Sequence, residues 1–308
     1  MYYSRIEYVL HVLPTFATSS GHCYIEHQEK TMPMKILLTN DDGVRAPGIV
    51  ALADEMKELG RVVVVAPATQ QSAVSHSITL HKPLRCVEET DFPIEGVEAY
   101  STNGTPTDAV LLGIHAIFGE KPDVIISGIN SGPNLGADVT YSGTVAGAME
   151  GVVAHVPSIA ASMGAFEKLN YTDCARFVRY IAKIAGSGCF PSDVLLNINY
   201  PNLPAGEIKG IAITKLGQRW YEDVIHERVD PRGRKYFWIT GKKVLFGREE
   251  GTDAHELEKG YISITPLTLD MTRKPLMEKV AEILTRPSEA GIEDFELPYE
   301  VTGPAIAK

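Results

Sequence analysis

The chain has 308 residues, of which 44% are hydrophobic and 22% are charged, and its formal net charge is −10. This composition is typical of a globular protein with one large domain. The negative charge argues against a nucleic-acid polymer as a partner, because binding a phosphate backbone requires a basic surface. No apolar run approaches the roughly 20 residues that span a bilayer, so the sequence predicts no membrane partner.

The cysteines are scattered along the chain and lack the C-x-x-C spacing of zinc and redox sites. This pattern argues against a disulfide framework and favours a reducing compartment, so we expect a cytoplasmic protein. The four residues are Cys23, Cys86, Cys174 and Cys189.

Residues 1–33 differ from the rest of the chain. Their short apolar patch, residues 8–13, ends before Pro14 and makes a poor signal peptide. Met34 stands directly before the first predicted strand, where a natural start would lie. We therefore expect residues 1–33 to be a disordered extension or a start-codon overcall; a targeting role is the alternative.

The first predicted element is a buried strand at residues 35–39, which ends in the sequence Asn40-Asp41-Asp42-Gly43. A helix is expected to open at Pro47, a residue suited to the first helical turn. The adjacent aspartates therefore lie at the carboxyl end of a strand, where open α/β sheets bind ligands. They indicate a cation between them, and a well-solvated turn is the alternative reading.

Strands and helices alternate as far as about residue 200. Buried strands are predicted at residues 61–67, 123–130, 157–162 and 194–199. A polar loop is expected at 68–77 and short strands within 78–101. Helices are predicted from the turn at 103–108 to about Phe118, and at 145–155 and 171–186. This alternation predicts a doubly wound, mostly parallel α/β sheet.

The pattern changes after about residue 205. Antiparallel strands are predicted at 208–214, 219–226 and 235–239, with a turn at 230–233. Residues 240–259 are polar and are expected to form a loop. A strand at 261–266 and a helix at 276–284 precede a loose tail at 286–308.

Polar oxygen-bearing side chains follow three of the predicted strands. Asp41 and Asp42 follow the first, Ser72 lies in the loop after the second, and Asn130 ends the third. Adjacent strand ends of a doubly wound sheet converge on one crevice, so these side chains are expected to meet. Each residue is weak evidence alone, but together the oxygen ligands favour Mg²⁺ or Mn²⁺ over zinc or copper.

A second candidate is Ser142-Gly143-Thr144, which precedes a helix rich in small residues. Free N–H groups and two hydroxyls at a helix start bind an anion well, and plain N-capping is the alternative. An anion site beside a metal site indicates phosphate-ester chemistry. Dinucleotide and P-loop motifs are absent. His76 is a candidate proton shuttle or a structural residue. His155 and His255 are weaker candidates for a proton shuttle.

A series of ordered motifs resembles the survival protein E (SurE) nucleotidases. They include Thr39-Asn40-Asp41-Asp42-Gly43, Ser127-Gly128-Ile129-Asn130 and Ser142-Gly143-Thr144. Others lie at residues 65–67, 72–73, 76–79, 104–106, 132–134, 196–201, 230–234, 252–253 and 260–267. The resemblance implies a metal-dependent 5′-nucleotidase that converts nucleoside 5′- and 3′-monophosphates to nucleoside and phosphate; some members also shorten polyphosphate.

The resemblance also implies an architecture and a set of site residues. It implies a Rossmann-like catalytic domain at 34–270, a β-hairpin arm at about 219–240 and a C-terminal helix and tail at 271–308. The C-terminal segments exchange between subunits of a homodimer or homotetramer. One Mg²⁺ or Mn²⁺ per subunit is held by residues matching Asp41, Asp42, Ser72 and Asn130.

Roles follow for the remaining candidate residues. Asp41 and Asp42 are also the predicted catalytic residues. The predicted substrate- and phosphate-binding residues are Asn40, Gly43, Asn134, Ser142, Gly143 and Thr144. Ser75 departs from the family, which commonly has glycine there, and residues 254–258 look less family-like. The alternatives are a non-catalytic metal or nucleotide sensor and a glycosyltransferase-like domain using a nucleotide-sugar.

Overall fold

The computed structural model describes residues 33–246 and 249–285 of the chain. The expectations for residues 1–32 and for the tail at 286–308 lie outside this described part. None of the described helices combines the length and the apolar character that crossing a bilayer requires.

The strands and helices alternate along most of the chain. The strands are β1 (Met34–Thr39), β2 (Gly60–Pro67), β3 (Cys86–Glu88), β4 (Glu98–Thr102), β5 (Val124–Asn130), β6 (Ser158–Met163), β7 (Leu195–Tyr200), β8 (Ile211–Ile213), β9 (Arg219–Val229), β10 (Lys235–Phe246) and β11 (Ile262–Leu267). The helices are α1 (Pro47–Met56), α2 (Pro106–Leu112), α3 (Gly143–Val153), α4 (Tyr171–Gly186), α5 (Asp253–Glu258) and α6 (Lys274–Thr285).

One mixed sheet carries most of the strands, in the order β3-β4-β2-β1-β5-β6-β7-β11-β8. The strands from β4 to β7 are parallel, whereas β3 and β11 run antiparallel to β4 and β7. β9 and β10 form a separate antiparallel hairpin. The predicted α/β fold and hairpin are confirmed. The strand order reverses at β1, which lies between β2 and β5, and ligands bind at such a switch point.

Alternating side chains of β1 supply both faces of the sheet with apolar surface. Ile36 and Leu38 belong to the core cluster that contains the buried faces of α1 and α4. Leu37 belongs to the opposite cluster, together with Ala109 and Val110 of α2. Because successive side chains of a strand point to opposite faces, a continuous apolar run fits a strand covered on both sides.

Two predictions for the region after residue 205 were wrong. β8 was expected to be antiparallel, but it pairs in parallel with β11. A three-residue strand does not encode its own direction, which is set by the edge that it joins. Residues 240–259 were expected to form a loop, but β10 continues to Phe246 by pairing with β9, and α5 follows. A helix of six residues is too short to show periodicity.

The described part of the chain divides into two compact units, one that ends at Leu267 and one that begins at Thr268. The described part of the second unit contains α6, close to the helix predicted at 276–284. Exchange of this segment between subunits remains a prediction.

Close packing of α3 on the sheet provides a test of the fold. A Cβ atom on Gly147 would lie 2.8 Å from Thr39 Cγ2 and 2.9 Å from Ser127 Oγ. Although alanine normally favours a helix, we expect Gly147→Ala to lower the free energy of unfolding by about 1–3 kcal/mol through overpacking. Urea denaturation measures the change. Gly206→Ala is the matched control, because a Cβ atom there meets open space. Equal stability of the two variants would contradict this packing.

Candidate metal and phosphate site

A tight turn at the end of β1 presents the paired aspartates. The Asn40 side chain closes it: its Nδ2 donates to the Gly43 carbonyl at 2.9 Å, and its Oδ1 accepts from the Gly43 N–H at 3.1 Å. Gly43 has a φ of 111°, a conformation that residues with a Cβ rarely adopt. Asn40 and Gly43 therefore shape the turn, and their contact with substrate remains a prediction.

Asp41 lies at the amino terminus of α3. The Thr144 hydroxyl donates to Asp41 Oδ1. A Cβ atom on Gly143 would lie 2.8 Å from Asp41 Cβ. Because a helix amino terminus carries partial positive charge, it stabilises the adjacent carboxylate. The structure thus brings the predicted metal ligand Asp41 against the predicted anion site.

Burial dominates the electrostatics of Asp41, which is only 7% exposed. Loss of solvation raises its pKa to about 6, although the hydrogen bond from Thr144 lowers it. The nearby charge of Asp42 raises the pKa further, and backbone hydrogen bonds lower it. A buried carboxylate of this kind is stabilised in its charged form when a cation approaches.

Asp42 connects the loops that follow two other strands. Its Oδ2 accepts from the Ser131 N–H at 3.0 Å, in the loop after β5. Its Oδ1 accepts from Gln70 Nε2 at 3.3 Å, in the loop after β2. The neighbouring Gln71 N–H donates to the Asp41 carbonyl at 2.7 Å. Three strand ends therefore meet at the paired aspartates, as expected for one crevice.

The two other predicted metal ligands lie beside these contacts. Asn130 ends β5, and its Nδ2 donates to the Gly132 carbonyl at 2.8 Å, so that its amide oxygen is the atom suited to a cation. Ser72 is exposed and follows Gln70 and Gln71 in the loop after β2. Ser72 directly follows Gln71, whose N–H bonds the Asp41 carbonyl.

The candidate donors suit a hard divalent ion. Two carboxylates, one hydroxyl and one amide oxygen supply oxygen ligands only, which Mg²⁺ and Mn²⁺ prefer. Within residues 33–246 and 249–285, no three His, Cys, Asp or Glu side chains gather into a metal-binding group. A cation held by the two aspartates would therefore need hydroxyl or amide oxygens beside them, and Ser72 and Asn130 are the predicted donors.

The remaining predicted phosphate-binding residues have structural partners. Ser142 caps α3, because its Oγ accepts from the Val145 N–H at 3.1 Å. Asn134 is buried, and its N–H and carbonyl bond to the side chain of Asn199 at 2.8 and 2.9 Å. Its Nδ2 donates to Ser162 Oγ at 2.8 Å. Capping by Ser142 was the stated alternative; phosphate binding by these residues remains a prediction.

The loop after β2 is fixed to the start of α3. Ser75 has a φ of 57°, and its Oγ donates to the Thr140 carbonyl at 2.7 Å. His76 Nε2 lies 2.9 Å from Oε2 of Glu150, a buried residue of α3. This contact favours the structural reading of His76.

Several supporting residues were not found in the sequence. The Tyr171 side chain hydrogen-bonds Ser131, whose amide holds Asp42, and burial raises the pKa of this tyrosine. Asn197 and Asn199 both donate to the Asn134 carbonyl. A signal for the last two was present, because polar residues repeat every second position on a strand that is otherwise apolar.

Comparison with known proteins gives a consistent result. The model of the family described as survival protein SurE matches residues 36–223. The 5′-nucleotidase SurE of Moorella thermoacetica is 47% identical over 253 residues, which cover 82% of this chain and 96% of that protein. The corresponding protein of Geotalea uraniireducens is 50% identical over 240 residues, with coverage of 78% and 94%. The crystal structure of SurE from Aquifex aeolicus superimposes with a TM-score of 0.70 at 44% identity, covering 81% and 99%.

The buried charge of Asp41 predicts a pH-dependent cost to stability. Its pKa rises from 3.8 to about 6 on folding, so its contribution favours folding below pH 3.8 and is lost as the pH rises through about 6. We expect Asp41→Asn to stabilise the metal-free protein at pH 8 by up to about 3 kcal/mol, and much less at pH 4.5. Urea denaturation at both values measures this. The exposed Asp54→Asn is the control, and a gain independent of pH would contradict the assignment.

The strained backbone of Ser75 predicts that a glycine variant at this position is more stable than an alanine variant. Glycine would relieve the left-handed conformation, worth roughly 1 kcal/mol, while losing the hydrogen bond to Thr140, worth about the same. Alanine would lose the bond and keep the strain. We therefore expect Ser75→Gly to match the parent protein in thermal denaturation and Ser75→Ala to be less stable by about 1 kcal/mol. An alanine variant as stable as the glycine variant would disprove the strain.

Proposed function

This chain belongs to the SurE family, and from this membership we propose that it is a metal-dependent nucleotidase. In this proposal it hydrolyses nucleoside 5′- and 3′-monophosphates to nucleoside and inorganic phosphate. The contact of Asp41 with Thr144 carries the proposal, because it joins a candidate metal ligand to a helix amino terminus suited to phosphate. The naming of the relatives as 5′-nucleotidases supports the 5′ activity.

Different residues of the proposed site have different roles. Asp41, Asp42, Ser72 and Asn130 would hold one Mg²⁺ or Mn²⁺ per subunit. When bound, such an ion neutralises phosphate charge and lowers the pKa of a water molecule. The N–H groups and hydroxyls around Ser142–Thr144 orient the phosphate for in-line attack. Asp41 or Asp42 accepts the proton of the attacking water.

The wider assignment forms part of the same proposal. It includes shortening of polyphosphate, a homodimer or homotetramer with exchanged C-terminal segments, and a cytoplasmic location. The described residues form one main sheet with one candidate crevice at its switch point, and no second nucleotide-binding sheet is present among them. This disfavours a nucleotide-sugar transferase. A non-catalytic sensor would bind nucleotide and metal without releasing phosphate.

Phosphate release from metal-stripped protein tests the proposal. A panel of 5′- and 3′-nucleoside monophosphates is assayed with Mn²⁺, with Mg²⁺ and with neither ion. We expect release only with metal, and we expect Asp41→Asn to lower kcat by at least about a hundredfold because a ligand is lost. Asp54→Asn, an exposed aspartate on α1, is the matched control and should retain full activity.

The outcomes separate the alternatives. Full turnover by the folded Asp41→Asn variant would refute the catalytic assignment. Nucleotide binding without release by the parent protein would favour a sensor, and release without added metal would remove the cation from the proposal.

A further inference from the structure

Asp253 is a completely buried aspartate at the start of α5, and its carboxylate serves two separate loops. Its Oδ2 accepts from the N–H of Gly136 at 2.7 Å. Its Oδ1 accepts from the N–H of Gly217 at 2.8 Å and from that of Ala254 at the same distance. Gly136 and Gly217 are 81 residues apart in the chain, so no local structure would bring them together.

The first of these loops belongs to the candidate site. It begins at Asn130 and Ser131, whose amide holds Asp42, and it reaches Gly136 through the buried Asn134. At Gly136 a 3₁₀ turn begins, Gly136–Thr140, which leads directly to the cap of α3 at Ser142. Asp253 therefore holds the point where the segment carrying a candidate metal ligand joins the segment leading to the phosphate-binding helix.

The second loop is the base of the hairpin. Gly217 lies two residues before β9, the first hairpin strand. The neighbouring Lys215 donates its N–H to the Gly251 carbonyl at 3.0 Å and accepts from the Asp253 N–H at 2.9 Å. The chain of β9 also lies against the 3₁₀ turn that begins at Gly136. The base of the hairpin and the end of the site loop thus share one carboxylate.

The two acceptor oxygens of Asp253 are essential to this geometry. An ionised carboxylate has two acceptor oxygens and can take N–H donors on both sides, whereas an amide has one oxygen and one donating nitrogen. A neutral isostere would therefore face one of the two glycine amides with its own N–H groups. A buried N–H without an acceptor destabilises the fold. The loop whose glycine loses its acceptor would therefore shift away from residue 253.

We propose that Asp253 is a positioning residue for the candidate site, and that it couples the site to the position of the hairpin arm. By holding Gly136 it fixes the distance between Asn130 and the start of α3, and by holding Gly217 it ties that distance to the hairpin base. Its kinetic readout rests on the proposed function; its structural readout does not.

The test uses the full chain with Asp253→Asn. We expect a folded protein with unchanged circular dichroism and oligomeric size, and faster hydrogen–deuterium exchange in peptides spanning 131–138. We expect a Kd for Mn²⁺ raised at least about fivefold and a kcat for nucleoside monophosphates lowered about 10–100-fold. Asp230→Asn is the matched control: this carboxylate also accepts backbone N–H groups, from Arg232 and Arg234, but at the hairpin turn. It should leave all three readouts unchanged.

A second variant tests the positioning role of Asp253 if Asp253→Asn does not fold. A Cβ atom on Gly217 would lie 3.0 Å from Asp253 Oδ1 and 3.3 Å from Thr252 Cβ, so Gly217→Ala displaces the carboxylate from the arm side and keeps its charge. We expect hydrogen–deuterium exchange, the Kd for Mn²⁺ and kcat to change in the same directions as in Asp253→Asn, but by smaller amounts. Normal exchange at 131–138 and normal Mn²⁺ affinity in the folded variants would overturn the proposal. Absence of phosphate release by the parent protein would refute the nucleotidase, while the exchange experiment still tests Asp253.

Discussion

The site depends on one electrostatic arrangement, the burial of the Asp41 carboxylate against the amino terminus of α3. A carboxylate removed from water loses several kcal/mol of solvation, and hydrogen-bond donors must replace it. Thr144 supplies a hydroxyl donor, 103 residues further along the chain. Gly143 allows the close approach, because a Cβ atom there would collide with Asp41. The helix start is therefore part of the environment of the aspartate as well as a candidate binding surface for phosphate.

Asp42 depends on different parts of the chain. It is less buried, and its oxygens accept from Ser131 and Gln70, which belong to the loops after β5 and β2. The carboxylates of the two adjacent aspartates thus accept from different donors, although the loop after β2 also bonds the Asp41 carbonyl through the Gln71 N–H. Loss of order in either loop would change the orientation of Asp42, whereas Asp41 would still be held by α3.

Much of the fold and the residues of the crevice could be predicted, because both follow from local patterns. Continuous apolar runs such as residues 61–67 identify buried parallel strands, and polar residues directly after them mark the ligand-binding edge. The direction of β8 and the length of β10 could not be predicted, because each depends on its pairing partner. The same limitation hid the contacts of Asp253, which join residues distant in the sequence; the resemblance includes Thr252 and Asp253 as a motif but gives them no role.

The supporting contacts show which residues determine the geometry of the site. The residues suited to bind a metal follow three strands, and this recurrence is what predicted them from the sequence. Their role as metal ligands remains a prediction. Their geometry is determined by other polar groups, among them the amides of Asn197 and Asn199 and the carboxylate of Asp253. Each of these bonds the backbone of the loop between Asn130 and Gly136, and backbone amides are common to every sequence. Since a bond to backbone leaves no trace in the identity of its partner, the sequence shows these polar residues but not the groups to which they bond.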